Sequence, residues 1–477
     1  MLQASSLQTL QRRSAMTDFT YSHPSPDSIA RDASDKLIEV ISVLDFIPAT
    51  YHSAIRSRTS TIDVAAYVQN AIDYIDSTAN APFYGGQLFF PRGKYILGSK
   101  LNLCKGLSLV GEGRIATFLA WTQAGSNLAT GTGLRMSSPV NSSTSVYLTI
   151  RDISLLNTAS SPQGAGLWDT GGSLISVTRA TFYGFKYGII LEQSELVDIS
   201  ESEFSAMAHS GVWLVNGNDL GTGGAPGYTN RISIKSSQFN GCTQFGILDD
   251  GGTCHAFVDN NYNANGVHIR VAVADGVRIA GGEFEASTTN PIQLRAASLS
   301  AAVSGGNSAV LIEGTIIAPG NQSAISCAES AGQLCLVGNF FASTGSGALP
   351  EVDGLEGLSG FYSIGNSYTT NGGTMIDAEA NDQQVFLEGA RHGSAAYDPP
   401  SLALGASSPV QTMTVNQVAL GDQVESASFS NNLAGAVLHA WVSGTNTVSY
   451  FIHNVNGANP LNLASGAVRV RVMKRIF

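Results

Sequence analysis

The sequence predicts an all-β chain, a right-handed parallel β-helix with a short N-terminal capping helix and a C-terminal β-sandwich-like domain. Three observations carry this. A repeat runs through residues 174–390, the composition is rich in glycine and poor in charge, and one well-patterned helix precedes the repeat.

The repeat has the form apolar, four residues, aromatic or apolar, turn, then Gly-apolar-x-apolar. It is read in VTRATFYGFKYGIIL, ISESEFSAMAHSGVWL, IKSSQFNGCTQFGIL, FVDNNYNANGVHI and IAGGEFEASTTNPIQL. Its aromatic column is Phe182, Phe204, Phe239, Tyr262 and Phe284, and looser copies place Ile317, Phe341 and Tyr368 in the same file. The spacings are 22, 35, 23 and 22 residues, then 33, 24 and 27. A unit that swells by about ten residues is a solenoid coil with loop insertions. Each coil would hold three short strands, and coils would stack about 4.8 Å apart. The largest insertion is NGNDLGTGGAPGYTNR at 216–231. A leucine-rich horseshoe would need an LxxLxL signature, and a propeller a repeat of roughly 40 residues.

Composition agrees. Of 477 residues 43% are apolar and 13% charged, with 52 Gly and a net charge of −11. That disfavours disorder and a nucleic-acid partner held in a basic groove. No run of 18 apolar residues predicts membrane insertion. The first residues lack the apolar core of a signal peptide. The five cysteines show no metal spacing and read as buried reduced thiols.

The flanks follow. Residues 1–40 read as a flexible neck, and 41–84 as a lead-in with a capping helix. Within the lead-in, 37–57 read as a strand-like run and a turn. Val64, Tyr67, Val68, Ala71, Ile72 and Ile75 keep helical spacing, with Ser60 or Asp63 as cap. The β-helix spans 85–390, starting with strands broken by Pro-Arg-Gly and Gly-Ser turns. Residues 391–409 read as a linker and 410–477 as a β domain for trimerisation or carbohydrate binding. Its last strand alternates Val468, Val470 and Val472 with Arg469 and Arg471.

DVAAYVQNAIDYI followed by GGQLFFPRGKYIL resembles the start of the pectate-lyase-like phage tailspikes and capsular depolymerases. Asp63, Ala66 and Gln69 match the family's helix, and Gly85, Gly86, Pro91, Gly93 and Tyr95 its strand pair. VISVLDFIPATYHSAIR resembles the lead-in, and NLASGAVRVRV a closing module. The likeness covers roughly 37–477. It implies a homotrimer on the virion tail, acting outside the cell, that endo-cleaves capsule or O-antigen. The N-terminal region is short for a docking domain, which implies an adaptor or baseplate partner, or a truncated chain. These landmarks are architectural and do not carry the family's chemistry.

Chemistry is therefore sought in the outward columns. Beside the aromatic file run Thr181, Glu203, Gln238, Asn261 and Glu283 on one side, and Tyr183, Ser205, Asn240, Asn263 and Glu285 on the other. Glycoside cleavage needs two carboxyl groups, about 5 Å apart for retention or 6.5–9.5 Å for inversion. Glu283 and Glu285 flank an inward Phe284, and two residues of strand span roughly 6.5 Å. Glu201 and Glu203 have the same spacing. Asp249 and Asp250 end a strand at GILDDGG, and such a pair can split its pKa values. A third column, Ile190, Trp213, Leu248, His268 and Gln293, is a subunit interface or a sugar platform with Trp213 stacking on a pyranose. Beside it run Glu192, Val215, Asp250, Arg270 and Arg295. Tyr228, in the long insertion, is a further substrate-binding candidate.

A lyase would need a base and cations, which His268, Arg270, Arg278 and Arg295 could supply. His255 reads as a loop residue. Neither a metal nor a cofactor is expected: EF-hand, GxSxG and phosphate-loop motifs are all missing. Three functions remain open: an endo-glycosidase, a uronate lyase, or a spike that binds bacterial polysaccharide without cutting it.

Overall fold

A strand of three residues can belong to a closed coil only if the backbone turns sharply on both sides of it. In the computed structural model of this chain those corners are residues in the left-handed region. Arg179, Glu201 and Ser236, with φ of 49°, 50° and 49°, precede the strands Thr181–Tyr183, Glu203–Ser205 and Gln238–Asn240. Gly184, Ala206 and Gly241, with φ of 73°, 56° and 65°, follow them. Each such non-glycine corner costs about 1–2 kcal/mol. The cost is met by satisfied backbone groups, because corner N–H groups donate to the next coil: Arg179 to the Ser200 carbonyl and Glu201 to that of Lys235, both at 3.1 Å.

The described residues are 20–21, 31–32, 40–78, 85–137, 147–215, 229–295, 309–319, 322–327, 332–342, 352–353, 358, 360–364, 366–368, 385–386, 390–416, 418–455 and 460–473. Most of the expected neck lies outside them. So do most of the long insertion, including Tyr228.

The chain forms two compact units, Met1–Gly246 and Ile247–Phe477. In the first, three parallel sheets wind in turn. One coil, for example, is Ser173–Thr178, Thr181–Tyr183 and Tyr187–Glu192, and the next is Glu195–Ser200, Glu203–Ser205 and Ser210–Val215. Phe182, Phe204 and Phe239 stand in register. Their rings lie 5.1 and 4.9 Å apart, 8° from parallel in both pairs, and fully buried.

In the second unit Tyr262, Phe284, Ile317, Phe341 and Tyr368 are likewise in register. Tyr262 and Phe284 stack at 4.6 Å.

The expected helix is Ala65–Thr78, with Val64, Val68, Ala71, Ile72 and Ile75 buried. Asp63 Oδ1 accepts from Ala65 N at 2.9 Å and from Gly98 N at 2.8 Å. The Gln69 amide pairs with the backbone of Asn102 in both directions, at 3.0 and 2.8 Å. These side chains thus occupy the open edges of the first coil, a structural role.

Two readings need correction. Residues 49–56, read as a turn, form the helix Ala49–Arg56, which starts after Pro48 and buries only Ile55. With one buried position it shows no apolar period. Residues 391–409 are not a linker along their whole length. Ala390–Tyr397 is a strand paired antiparallel with Gly466–Met473, and that strand also pairs with Gln423–Phe429. A second sheet holds Gln411–Thr414, Thr447–Asn454 and Ala436–Gly444. Val448, Tyr450, Ile452, Val468, Val470 and Val472 are among the residues of their shared core.

No disulfide joins the cysteines. Cys242 and Cys327 are buried as expected, Cys104 and Cys335 are half-buried, and Cys254 is exposed.

Candidate functional site

Glu283–Glu285 is a strand whose middle residue, Phe284, is fully buried and whose outer two are half-exposed. Alternation along the strand turns both carboxyl groups to the same open wall. The Glu283 carboxyl is held above its ordinary value, first by a hydrogen bond with Glu285 and then by that group's charge. A neighbouring carboxyl group thus disfavours the ionised form of Glu283.

The other carboxyl candidates are arranged differently. Glu203 faces out from its strand, but Glu201 is not its strand partner. Glu201 sits at a left-handed corner with buried Ser202 between them. Asp249 and Asp250 are fully buried. Gly251 and Gly252, with φ of 152° and 141°, fold the chain back over them. The buried His255 ring donates from Nδ1 to Asp249 Oδ2 at 2.8 Å, and Gly251 N donates to Oδ1 at 3.4 Å. This aspartate closes a corner and meets no polymer. His255 thus lies in a connection between strands, as read, but with its ring buried.

The third column also needs correction. His268 does not stand beside Gln293; Arg270 does, and Arg295 pairs with Ala272. At Gly166, Gly188 and Gly211 a Cβ would lie 2.6 Å from the rings of Phe182, Phe204 and Phe239. His268 points the same way, with its ring 5.8 Å from Tyr262 and 5.9 Å from Phe284. It has replaced the repeat's glycine, so counting from Gly266 slipped the column by two residues. Burial pulls its pKa down to about 3, and Asn265 Nδ2 donates to its Nδ1 at 3.1 Å. A sealed, neutral imidazole cannot bind substrate as a cation.

Trp213 is only 8% exposed and packs 5.1 Å from Tyr187 and 6.1 Å from His209. It is not an open sugar platform. Arg270 is half-buried, and half-buried Arg295 donates to the Ser326 hydroxyl and carbonyl, both at 3.3 Å. Arg278 pairs with Glu313 at 2.6 Å.

Known proteins place this geometry. The family described as the right handed beta helix region matches residues 187–354. The fold is a right-handed parallel β-helix. Among solved structures it resembles the A-module of the Azotobacter vinelandii mannuronan C-5 epimerase AlgE6 (TM-score 0.56, 16% identity, 73% of this chain and 92% of that one). It also resembles a mutant tailspike protein of E. coli bacteriophage HK620 in complex with a pentasaccharide (0.52, 12%, 97% and 98%). A third is tailspike protein 3 of bacteriophage CBA120 (0.50, 12%, 96% and 76%). At these identities the likeness is one of fold. No curated protein matches the sequence.

The β-helix also holds a polar network that the column reading missed. Arg135 lies 3.5 Å over the ring of Trp168, and the Trp168 indole N–H and Thr170 hydroxyl donate to Glu192 Oε2 at 3.3 and 3.2 Å. Asp169 beneath accepts from Gly172 N and the Ser194 hydroxyl, and burial raises its pKa to about 6. Asp169 and Glu192 are fully buried, so the network braces the sheet and meets no substrate in this conformation. The signal was present in the sequence: Trp168-Asp-Thr-Gly-Gly has the same strand-end form as Leu248-Asp-Asp-Gly-Gly.

Among the described residues no group of three or more His, Cys, Asp or Glu could hold a metal ion, and no helix is long and apolar enough to cross a membrane.

Proposed function

We propose that this β-helix is a phage tailspike depolymerase that binds a bacterial surface polysaccharide, capsule or O-antigen, and endo-cleaves it by glycoside hydrolysis at Glu283 and Glu285. The observation carrying the reading is a pair of carboxyl side chains flanking buried Phe284 on the open wall of a fold also found in tailspikes, one of them bound to a pentasaccharide. The protonated member gives its proton to the glycosidic oxygen as the bond to the anomeric carbon breaks. The ionised member takes a proton from the water that bonds to that carbon. Proton exchange with solvent then restores the starting state. The same reading makes the protein a homotrimer on the virion tail, attached through a tail or adaptor protein, with its C-terminal β module as one seat of assembly.

A lyase finds less support. Of its four expected cations, His268 is neutral and sealed and Arg278 is engaged by Glu313.

The test is digestion of a panel of purified capsules and O-antigens by wild type, Glu283→Gln and Glu285→Gln. Wild type should release reducing ends without the ultraviolet absorbance of an unsaturated uronate. Each variant should lose about 10²–10⁴-fold in rate. Cleavage with that absorbance would make it a lyase, and binding without cleavage an adhesin.

A further inference from the structure

The wall that carries Glu283 changes character on its C-terminal side. In Met1–Gly246 the equivalent file is Lys94, Phe118, Ser154, Thr181, Glu203 and Gln238 in register, and its large apolar member, Phe118, is half-buried with Arg58 4.7 Å over its ring. In Ile247–Phe477 the file reads Asn261, Glu283, Ile316 and Phe340. Ile316 is 45% exposed and Phe340 38% exposed. Each neighbours a fully buried residue of the inward file, Ile317 or Phe341, so the inside of the coil is already filled without them. Two consecutive coils of the second unit thus present exposed large apolar side chains directly after Glu283 in this file.

Position gives this shelf a use. One coil step is about 4.8 Å, close to the length of one sugar unit, and Phe340 stands two steps, about 10 Å, from Glu283 along the helix axis. A glycan lying along the wall with a linkage at the carboxyl pair would set its next units over Ile316 and Phe340. Aromatic and aliphatic side chains favour ligand faces made of C–H groups, and polar side chains orient hydroxyls.

We propose that Ile316 and Phe340 form a stacking subsite on one side of the Glu283–Glu285 pair, and that the polysaccharide presents an apolar sugar face there. That face is the C–H side of a pyranose, a 6-deoxy methyl or an N-acetyl methyl. The proposal rests on the hydrolase reading for the position of the scissile bond. It goes further by naming where specificity resides and what the substrate offers.

The experiment compares Phe340→Ala, Phe340→Tyr, Ile316→Thr and Glu283→Gln on the polymer that wild type cleaves in the panel, with thermal melts to confirm folding. The loss in Phe340→Ala should fall on KM, a rise of about 5–10-fold, as expected when binding shared by ground and transition states is removed. Phe340→Tyr, which keeps the ring, should restore it, and Ile316→Thr should raise KM in the same direction. A KM unchanged in both Phe340→Ala and Ile316→Thr overturns the subsite. Glu283→Gln reports separately. If its kcat stays at the wild-type value, the carboxyl assignment fails, while the KM values still decide whether the shelf binds glycan. Should Phe340→Ala not fold, Ile316→Thr alone decides.

Discussion

Glu283 and Glu285 stand on one wall because a strand places them on either side of the inward Phe284. Hydrogen bonding with Glu285, and then that group's charge, hold the Glu283 carboxyl above its ordinary range. Replacing the Glu285 carboxyl removes both causes. In Glu285→Gln, carbon-detected NMR of the Glu283 carboxyl should show its midpoint moving down in pH; a midpoint that stays put would mean that Glu285 does not raise it. His268 titrates in the opposite sense. Its folded pKa, about 3, lies below the unfolded value of 6.5. The folded state thus binds fewer protons between those values. The stability contribution is complete above about pH 6.5 and is lost as pH falls toward 3, at up to about 1.4 kcal/mol per pH unit. In His268→Phe, which keeps a ring against Tyr262 and Phe284, the melting temperature should fall less steeply between pH 6.5 and 4. Equal slopes would mean that His268 is protonated inside the folded chain.

At the scale of one coil, the aromatic file and the glycine file are a single device. A Cβ on Gly211 would lie 2.6 Å from the Phe239 ring and 2.7 Å from the Gly246 carbonyl. Neither can withdraw, because the ring is stacked on Phe204 and the carbonyl belongs to the next coil. Gly211→Ala should therefore cost about 1–3 kcal/mol, seen as a lower melting temperature, whereas Gly241→Ala, with nothing within 4 Å of its Cβ, should show only backbone strain. This device explains what could be read in the sequence. The aromatic file was legible because a stacked ring tolerates only another ring or a bulky aliphatic group. The glycine was visible as part of the repeat, but its reason was not. Once His268 took the glycine's place, nothing local marked the change and the column slipped. The left-handed corners were hidden because Arg179 and Glu201 are held there by hydrogen bonds to the next coil, not by their own preference. Burial of Asp249 was hidden for the same kind of reason: its partner, His255, lies beyond a glycine turn that reads alike whether it faces water or core.

For the whole molecule, the informative asymmetry lies in the C-terminal module. The sheet of Ala390–Tyr397, Gly466–Met473 and Gln423–Phe429 turns Arg469 to solvent and pairs Arg471 with Glu425 at 2.9 Å. The other sheet turns out Val437, His439 and Trp441 from one strand and Phe451 and His453 from the next, in register and without a charged residue among them. His439 stacks on Phe451 at 4.8 Å, and Trp441 meets its edge at 5.9 Å. Trp441 and Val437 are each 40% exposed. Aromatic enrichment with depletion of charge is what separates an interface core from ordinary surface. If the proposed trimer uses this face, a threefold ring repeats the same contact three times, and one substitution strikes all three copies. Wild type should then scatter light as three chains. Trp441→Glu, which buries an unpaired charge only in the assembly, should scatter as one chain with an unchanged far-ultraviolet spectrum. A Trp441→Glu protein that still has the mass of three chains would place the assembly contact on another surface, and a wild-type monomer would remove the trimer from the proposal altogether.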